Sequence, residues 1–156
     1  MTNPKPIRTF FYWLSSIVLL GSFALTMFGY APIKNRLLLK SQLVSYAKSQ
    51  TDLHEVSRID VYHGKATSYA IFGHNKAQSP IIVILPEQAA KPEVYQANDG
   101  ISALKARAIA QKAGAKAIQT TRLGMEDHQI LWEVKARGAF YLIDFQTGEL
   151  VRKEVL

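Results

Sequence analysis

The chain of 156 residues has no cysteine. Disulfides, thiolate metal sites and a cysteine nucleophile are thereby excluded, while the compartment stays open, because a cysteine-free chain suits either side of a membrane. Histidine is sparse, at four residues: His54, His63, His74 and His128. No two of them stand at i, i+4 on a helix with an adjacent glutamate, so the zinc-protease pattern is missing. His63 and His74 lie beside glycines at strand ends and read as turn residues; with Asp60 they make at most a weak divalent site that nothing in the pattern requires. No Gly-x-Ser-x-Gly elbow, phosphate-cradling loop or dinucleotide fingerprint occurs. Adjacent carboxylates do occur, Glu126-Asp127 and Asp52 near Glu55, but in loops or helix flanks where solvated turn charges explain them. The expectation is a non-enzyme with no catalytic, cofactor-binding or metal-ligating residues and no small-molecule substrate.

Acidic residues are also few, 12 against 19 lysines and arginines, for a net charge of +7. This favours anionic partners. No basic stripe interleaved with aromatics is present, so no nucleic acid is expected; membrane lipid and anionic wall polymer are the partners the charge suits.

What the chain does have is one long uncharged run, residues 10–31, FFYWLSSIVLLGSFALTMFGYA. As a helix it spans about 33 Å, enough for a hydrocarbon core of ~30 Å. Tyr12, Trp13 and Tyr30 stand near its ends, where amphipathic rings prefer the headgroup level. The run is longer than a signal-peptide core of ~7–15 residues, and the one small-x-small site, Gly29-Tyr30-Ala31, is followed by Pro32. A retained transmembrane helix is the expectation. Lys5 and Arg8 before the run balance Lys34, Arg36 and Lys40 after it, so charge leaves the orientation undecided.

Pro32 predicts a break, followed by a second helix over residues 33–49 with Leu37, Leu43, Val44 and Ala47 on its apolar side. Lys34, Arg36 and Lys40 lie close to the membrane, where they would face lipid headgroups. Strand-like runs follow at residues 56–63, 67–72, 80–85 and 93–97, separated by glycine and proline. A further helix starts after Asp99-Gly100, with Ser102 as N-cap and Gly114 as C′ residue. Ala106, Ile109, Ala110 and Ala113 share one of its faces; Leu104 lies off that stripe with no assigned role. Strands at residues 117–123, 129–136, 139–145 and 149–155 complete the chain, joined by residues 124–127, by Arg137-Gly138 and by Gln146-Thr147-Gly148. In the last join Asp144 and Thr147 are placed to bond local amides while Gly148 supplies a positive φ.

Both halves therefore read helix then four strands. PIIVILPEQAAKPEVYQ of the first can be laid on AFYLIDFQTGELVRKEV of the second, an internal duplication of low side-chain identity. A helix on an antiparallel sheet, occurring twice, is an α+β architecture. The strand at residues 139–145 is apolar on both faces: Tyr141, Ile143 and Phe145 on one, Phe140 and Leu142 on the other. Leu131 opposes Ile130, Trp132 and Val134 in the same way. Leu131, Phe140 and Leu142 are then either an internal contact between the halves or a partner-binding surface.

Residues 100–153 resemble the PepSY module in the Ser-started helix at Ile101-Ser102, the strand Leu131-Trp132-Glu133-Val134, and the strand and turn from Ile143 through Asp144-Phe145-Gln146-Thr147-Gly148 to Leu150. With the anchor, the juxtamembrane helix and Tyr62-His63-Gly64, nearly the whole chain is similar to the TseB (YpmB-like) cell-wall elongation regulators of Gram-positive bacteria. The resemblance implies a cytoplasmic tail (1–9), a transmembrane helix (10–31) and two tandem PepSY/cystatin-like domains outside the cell (32–98 and 99–156). It implies regulation of a class B penicillin-binding transpeptidase by protein–protein interaction. PepSY modules also suggest an alternative, a peptidase inhibitor or chaperone-like module at the cell surface.

Overall fold

The structure is a computed structural model that describes the backbone of residues 5–87 and 91–155, and the side chains of these except residues 5–9 and 24–38. Residues 1–43 and 44–156 form two separate units.

Helix α1 runs from Lys5–Gln50 without interruption. The expected break at Pro32 is absent: proline removes only its own donor and strains one turn, which a long helix tolerates as a local defect. The anticipated transmembrane run lies partly outside the residues with described side chains, at 24–31, as do Lys34 and Arg36; Lys40 is exposed. Among the described residues no helix is long and apolar enough to cross a membrane. Within residues 10–23, however, Phe10, Phe11, Trp13, Leu19 and Leu20 are all more than three-fifths exposed.

The unit from residue 44 onward contains two four-stranded antiparallel sheets, each an uninterrupted meander. The first is β1 (Leu53–His63), β2 (Thr67–Asn75), β3 (Pro80–Pro86) and β4 (Glu93–Gln96). A 3₁₀ turn, Ala97–Asp99, leads to helix α2 (Ala103–Lys112). The second sheet is β5 (Thr120–Glu126), β6 (Gln129–Ala136), β7 (Ala139–Asp144) and β8 (Leu150–Val155). The two segments aligned above fall on β3–β4 and β7–β8, the matching hairpins of the two sheets.

Local chemistry sets the boundaries. Ser102 caps α2 by accepting the Lys105 amide at 3.2 Å, and Gly114 follows at φ +97°, as a C′ residue should. In the last hairpin Asp144 Oδ1 accepts the Thr147 amide and Gly148 adopts φ +78°. The join expected over residues 124–127 is corrected. Gly124, Met125 and Glu126 stay in β5, and the turn is only Asp127-His128, both at positive φ (50° and 63°). Two such residues make the tight hairpin turn whose twist matches the flanking strands.

The continuous run Ile81–Leu85 is buried throughout because β3 is an interior strand covered on both faces. Ile82 and Ile84 join Ala70 in a core that includes Leu123, Met125, Trp132, Val134 and Ile143 of the second sheet and Ala106 and Ala110 of α2. The opposite face of the first sheet buries Ile71, Ile81 and Val83, and Ala47 near the end of α1 is fully buried as well. Ala106 and Ala110 bring α2 close to β5, β6 and β7, so the helix rests on its own sheet. Leu104 faces solvent, 77% exposed.

Candidate functional site

The most heavily built region is the seam where the first sheet grips β5, the edge strand of the second. Edge strands carry unpaired amides that need partners when covered. Two polar side chains of the first sheet supply them. Asp60 Oδ2 accepts the Leu123 amide at 3.0 Å, and Ser68 Oγ accepts the Met125 amide at 2.9 Å, both buried. Leu123 and Met125 turn their side chains into the shared core, while Gly124 between them faces the other way. There the Tyr62 ring lies directly on Gly124, and its hydroxyl donates to Glu126 Oε2 at 2.7 Å. Arg152 Nη2 donates to the other carboxylate oxygen at 3.0 Å. Exposed Lys65 pairs with Asp127 at the rim.

The electrostatics follow the packing. Burial would raise the Glu126 carboxyl, but the bonds from Tyr62 and Arg152 outweigh it and hold the group below its ordinary value. Burial, then the neighbouring carboxylate, pushes the Tyr62 phenol well up. Asp60 is the opposite case. Burial raises it, and the Leu123 amide and the Arg58 guanidinium pull back without cancelling the shift. A carboxylate held ionised by two donors is a weak base, so the Glu126 cluster serves as a clasp.

Beside the seam an open groove of about 420 Å³ is lined by Arg58, Phe72, Ile82, Ile101, Trp132 and Phe145, among others. Phe72 and Trp132 stack across the two sheets at 6.1 Å and 24°. The indole Nε1 donates to the Ile101 carbonyl at 2.9 Å. Arg58 lays its guanidinium 4.1 Å over Phe72 and keeps a two-point pair with Asp60, at 3.1 and 3.2 Å. Arg58 and Phe72 were not singled out from the sequence. The signal was there in part, since Arg58 and Asp60 at i, i+2 share one strand face.

The sequence-derived residues fall unevenly. Leu131 and Leu142 are 3% and 2% exposed, covered on the Tyr62 side of the second sheet and so not open to a partner in this structure. Phe140 is half-buried, with the Lys135 ammonium 5.4 Å from its ring centre. His63 is exposed at the end of β1 and His74 sits within β2, while Asp60 is committed to Leu123 and Arg58. Among the described residues no three His, Asp or Glu side chains gather into a metal site. Beyond the shelter of α2, every residue of β8 is exposed.

These features define an α+β protein in which helices pack on two antiparallel meanders joined through buried polar side chains. A family model described as "Cell wall elongation regulator TseB-like domain" matches residues 44–86, which hold the end of α1 and strands β1 to β3. The chain is 32% identical over 113 residues to the probable cell wall elongation regulator TseB of Bacillus subtilis (strain 168), covering 68% of this chain and 70% of that protein. It shares its fold with the solved YpmB protein from Bacillus subtilis at a TM-score of 0.67 and 28% identity, over 72% of this chain and 94% of that one. The chain belongs to the TseB-like family of cell wall elongation regulators.

Proposed function

We propose that this chain is a membrane-tethered, extracytoplasmic regulator of cell-wall elongation that works by binding a class B penicillin-binding transpeptidase and performs no chemistry itself. The observation that carries the reading is the identity shared with a probable cell wall elongation regulator over most of both chains. Residues 10–31 are the anchor in this reading, with residues 1–9 in the cytoplasm. The absence of charge in that run supports it, as does the bare apolar surface of Phe10, Phe11, Trp13, Leu19 and Leu20. Lys34, Arg36 and Lys40 then meet lipid headgroups or anionic wall polymer. The two meanders are two PepSY-like modules, within residues 32–98 and 99–156, outside the membrane. Within the unit from residue 44 onward, a shared core and the Asp60, Ser68 and Tyr62 bonds join the two sheets. Confinement of regulator and transpeptidase to one membrane raises their effective concentration, so a modest interface is sufficient.

A C-terminal reporter active only outside the cytoplasm tests the orientation, and in-cell crosslinking with mass spectrometry tests the partner. The reading expects an active reporter and recovery of a penicillin-binding protein. A reporter active only inside the cell, or crosslinks confined to cytosolic proteins, overturns it.

A further inference from the structure

Helix α2 is basic on its outer side and has no nearby acid in the sequence to offset it. From residue 100 to residue 125 the chain holds Lys105, Arg107, Lys112, Lys116 and Arg122, and no aspartate or glutamate. Ala106 and Ala110 are buried against the second sheet, so the helix turns Leu104, Lys105, Arg107, Ala108 and Lys112 outward, all of them exposed. Among the described residues Lys105, Arg107, Lys112 and Lys116 form no ion pair. Exposed Arg137 joins them beyond the end of the helix, its backbone amide donating to the Lys116 carbonyl at 3.0 Å. Leu104 interrupts this surface. It is 77% exposed and stands one turn before Ala108 on the outermost row. At 3.6 residues per turn Arg107 falls on one flank of that row, and Lys105 and Lys112 on the other. None of these side chains enters the seam or lines the groove described above.

Unpaired cations around one bare leucine discriminate between occupants. Protein interfaces are poor in lysine and centre on large buried anchors, whereas this face offers one leucine, one alanine and long cationic chains. A second copy brings the same cations, and two chains of net charge +7 repel. A soluble anionic polymer would neutralise the cations but gives Leu104 no apolar phase to enter. An anionic lipid surface satisfies both features. Its headgroup phosphates attract the ammonium and guanidinium groups, whose alkyl stems let them reach out around a shallowly inserted leucine. Leu104 leaves water in the process, which is favourable for an apolar side chain held so far out of the fold.

We propose that the outer face of α2 is a docking surface for anionic lipid, with Lys105, Arg107 and Lys112 on headgroup phosphates and Leu104 at the boundary of the acyl chains. This rests on the reading that the chain is tethered to a membrane, and it names a second contact with that membrane. Three cations and one leucine bind weakly by themselves; tethering supplies the raised local concentration at which weak docking becomes populated.

The test uses the full chain reconstituted into vesicles. Because the chain has no cysteine, Ala108→Cys and Ala77→Cys each accept a single polarity-sensitive fluorophore, the first one turn from Leu104 and the second in the turn between β2 and β3. In vesicles of mixed phosphatidylcholine and phosphatidylglycerol the label at 108 brightens and shifts to the blue, and in phosphatidylcholine alone it does not. The label at 77 stays in water in both. Raising the salt towards about 1 M reverses the change at 108. Lys105→Gln and Lys112→Gln each lower the ratio of docked to free α2 about fivefold. Leu104→Gln, at an exposed position where folding is undisturbed, lowers it as well and leaves the salt dependence in place. An equal response in both kinds of vesicle, or at both labels, overturns the proposal. So does the same response to soluble polyphosphate over phosphatidylcholine vesicles, which would make the surface a polymer site. Flotation separates the two ideas. A chain that floats with phosphatidylcholine vesicles, yet shows no response at 108 to phosphatidylglycerol, sinks the α2 surface and leaves the tethered regulator standing. A chain that floats with no vesicle sinks the anchor, and the α2 surface with it.

Discussion

The Tyr62 side chain occupies the space that any residue larger than glycine would need at position 124: a β-carbon there would lie 2.1 Å from Tyr62 Cβ. Contact at that distance is far inside van der Waals range, and the atom it meets is fixed to the β1 backbone. The hydroxyl at the far end of the same ring is tied to Glu126, so the ring cannot swing aside without breaking a buried bond.

Gly124→Ala should therefore cost about 3 kcal/mol, at the upper end of overpacking penalties. Urea unfolding followed by near-ultraviolet circular dichroism measures it. A loss below ~0.5 kcal/mol would show that β1 yields easily and that the seam is not tightly packed.

Glu126 makes stability depend on pH in a defined direction. Its folded-state value lies below the ordinary 4.5, so its contribution is complete above that value and is lost as pH falls through the folded one. Asp60 and Glu133 are raised by burial and work oppositely; their contributions are present at low pH and lost as pH rises through their folded values. Comparison of wild type with Glu126→Gln isolates the first effect. Wild type should be the more stable at about pH 7, and the difference should shrink as pH falls through the lowered folded-state value of Glu126. A difference unchanged across that range would remove Glu126 as the titrating group.

Asp60→Ala leaves the buried Leu123 amide without an acceptor and should cost ~1–3 kcal/mol. Asp60→Asn keeps an oxygen for that amide and buries no charge, so its cost should be clearly smaller. Faster amide exchange at Leu123 in the alanine variant alone would locate the damage at the β5 edge. Equal costs for the two variants would mean that the Arg58 pair, rather than the edge bond, matters at this position.

Ser102→Ala removes the α2 cap and should cost about 1 kcal/mol, whereas Ser102→Asp should retain most of the stability. Thermal unfolding of both variants is the measurement; an alanine variant as stable as wild type would show that the 3.2 Å contact contributes nothing.

Much of this architecture was legible in the chain. The α2 boundaries followed from Ser102 and Gly114, because a cap and a positive-φ residue act through their immediate neighbours. The turn built on Asp144, Thr147 and Gly148 followed for the same reason. The Asp127-His128 turn was hidden, since neither residue is a strong signal for positive φ and Gly124 nearby was the more obvious breaker. Gly124 instead serves a ring that arrives from a residue 62 positions earlier in the chain. The break at Pro32 was over-read, because one missing donor does not end a long helix.

The amino-acid order alone determined the order of the strands and of α2, the α2 caps and the uncharged run of residues 10–31, all of which arise from interactions within a few residues or from simple periodicity. Only the tertiary structure decided that Asp60 and Ser68 serve the β5 edge, that Tyr62 and Arg152 share Glu126, that Leu131 and Leu142 are covered, and that β8 stays open. Those outcomes depend on which faces and edges meet in space, and pairings between residues some 60 positions apart leave no local pattern to read.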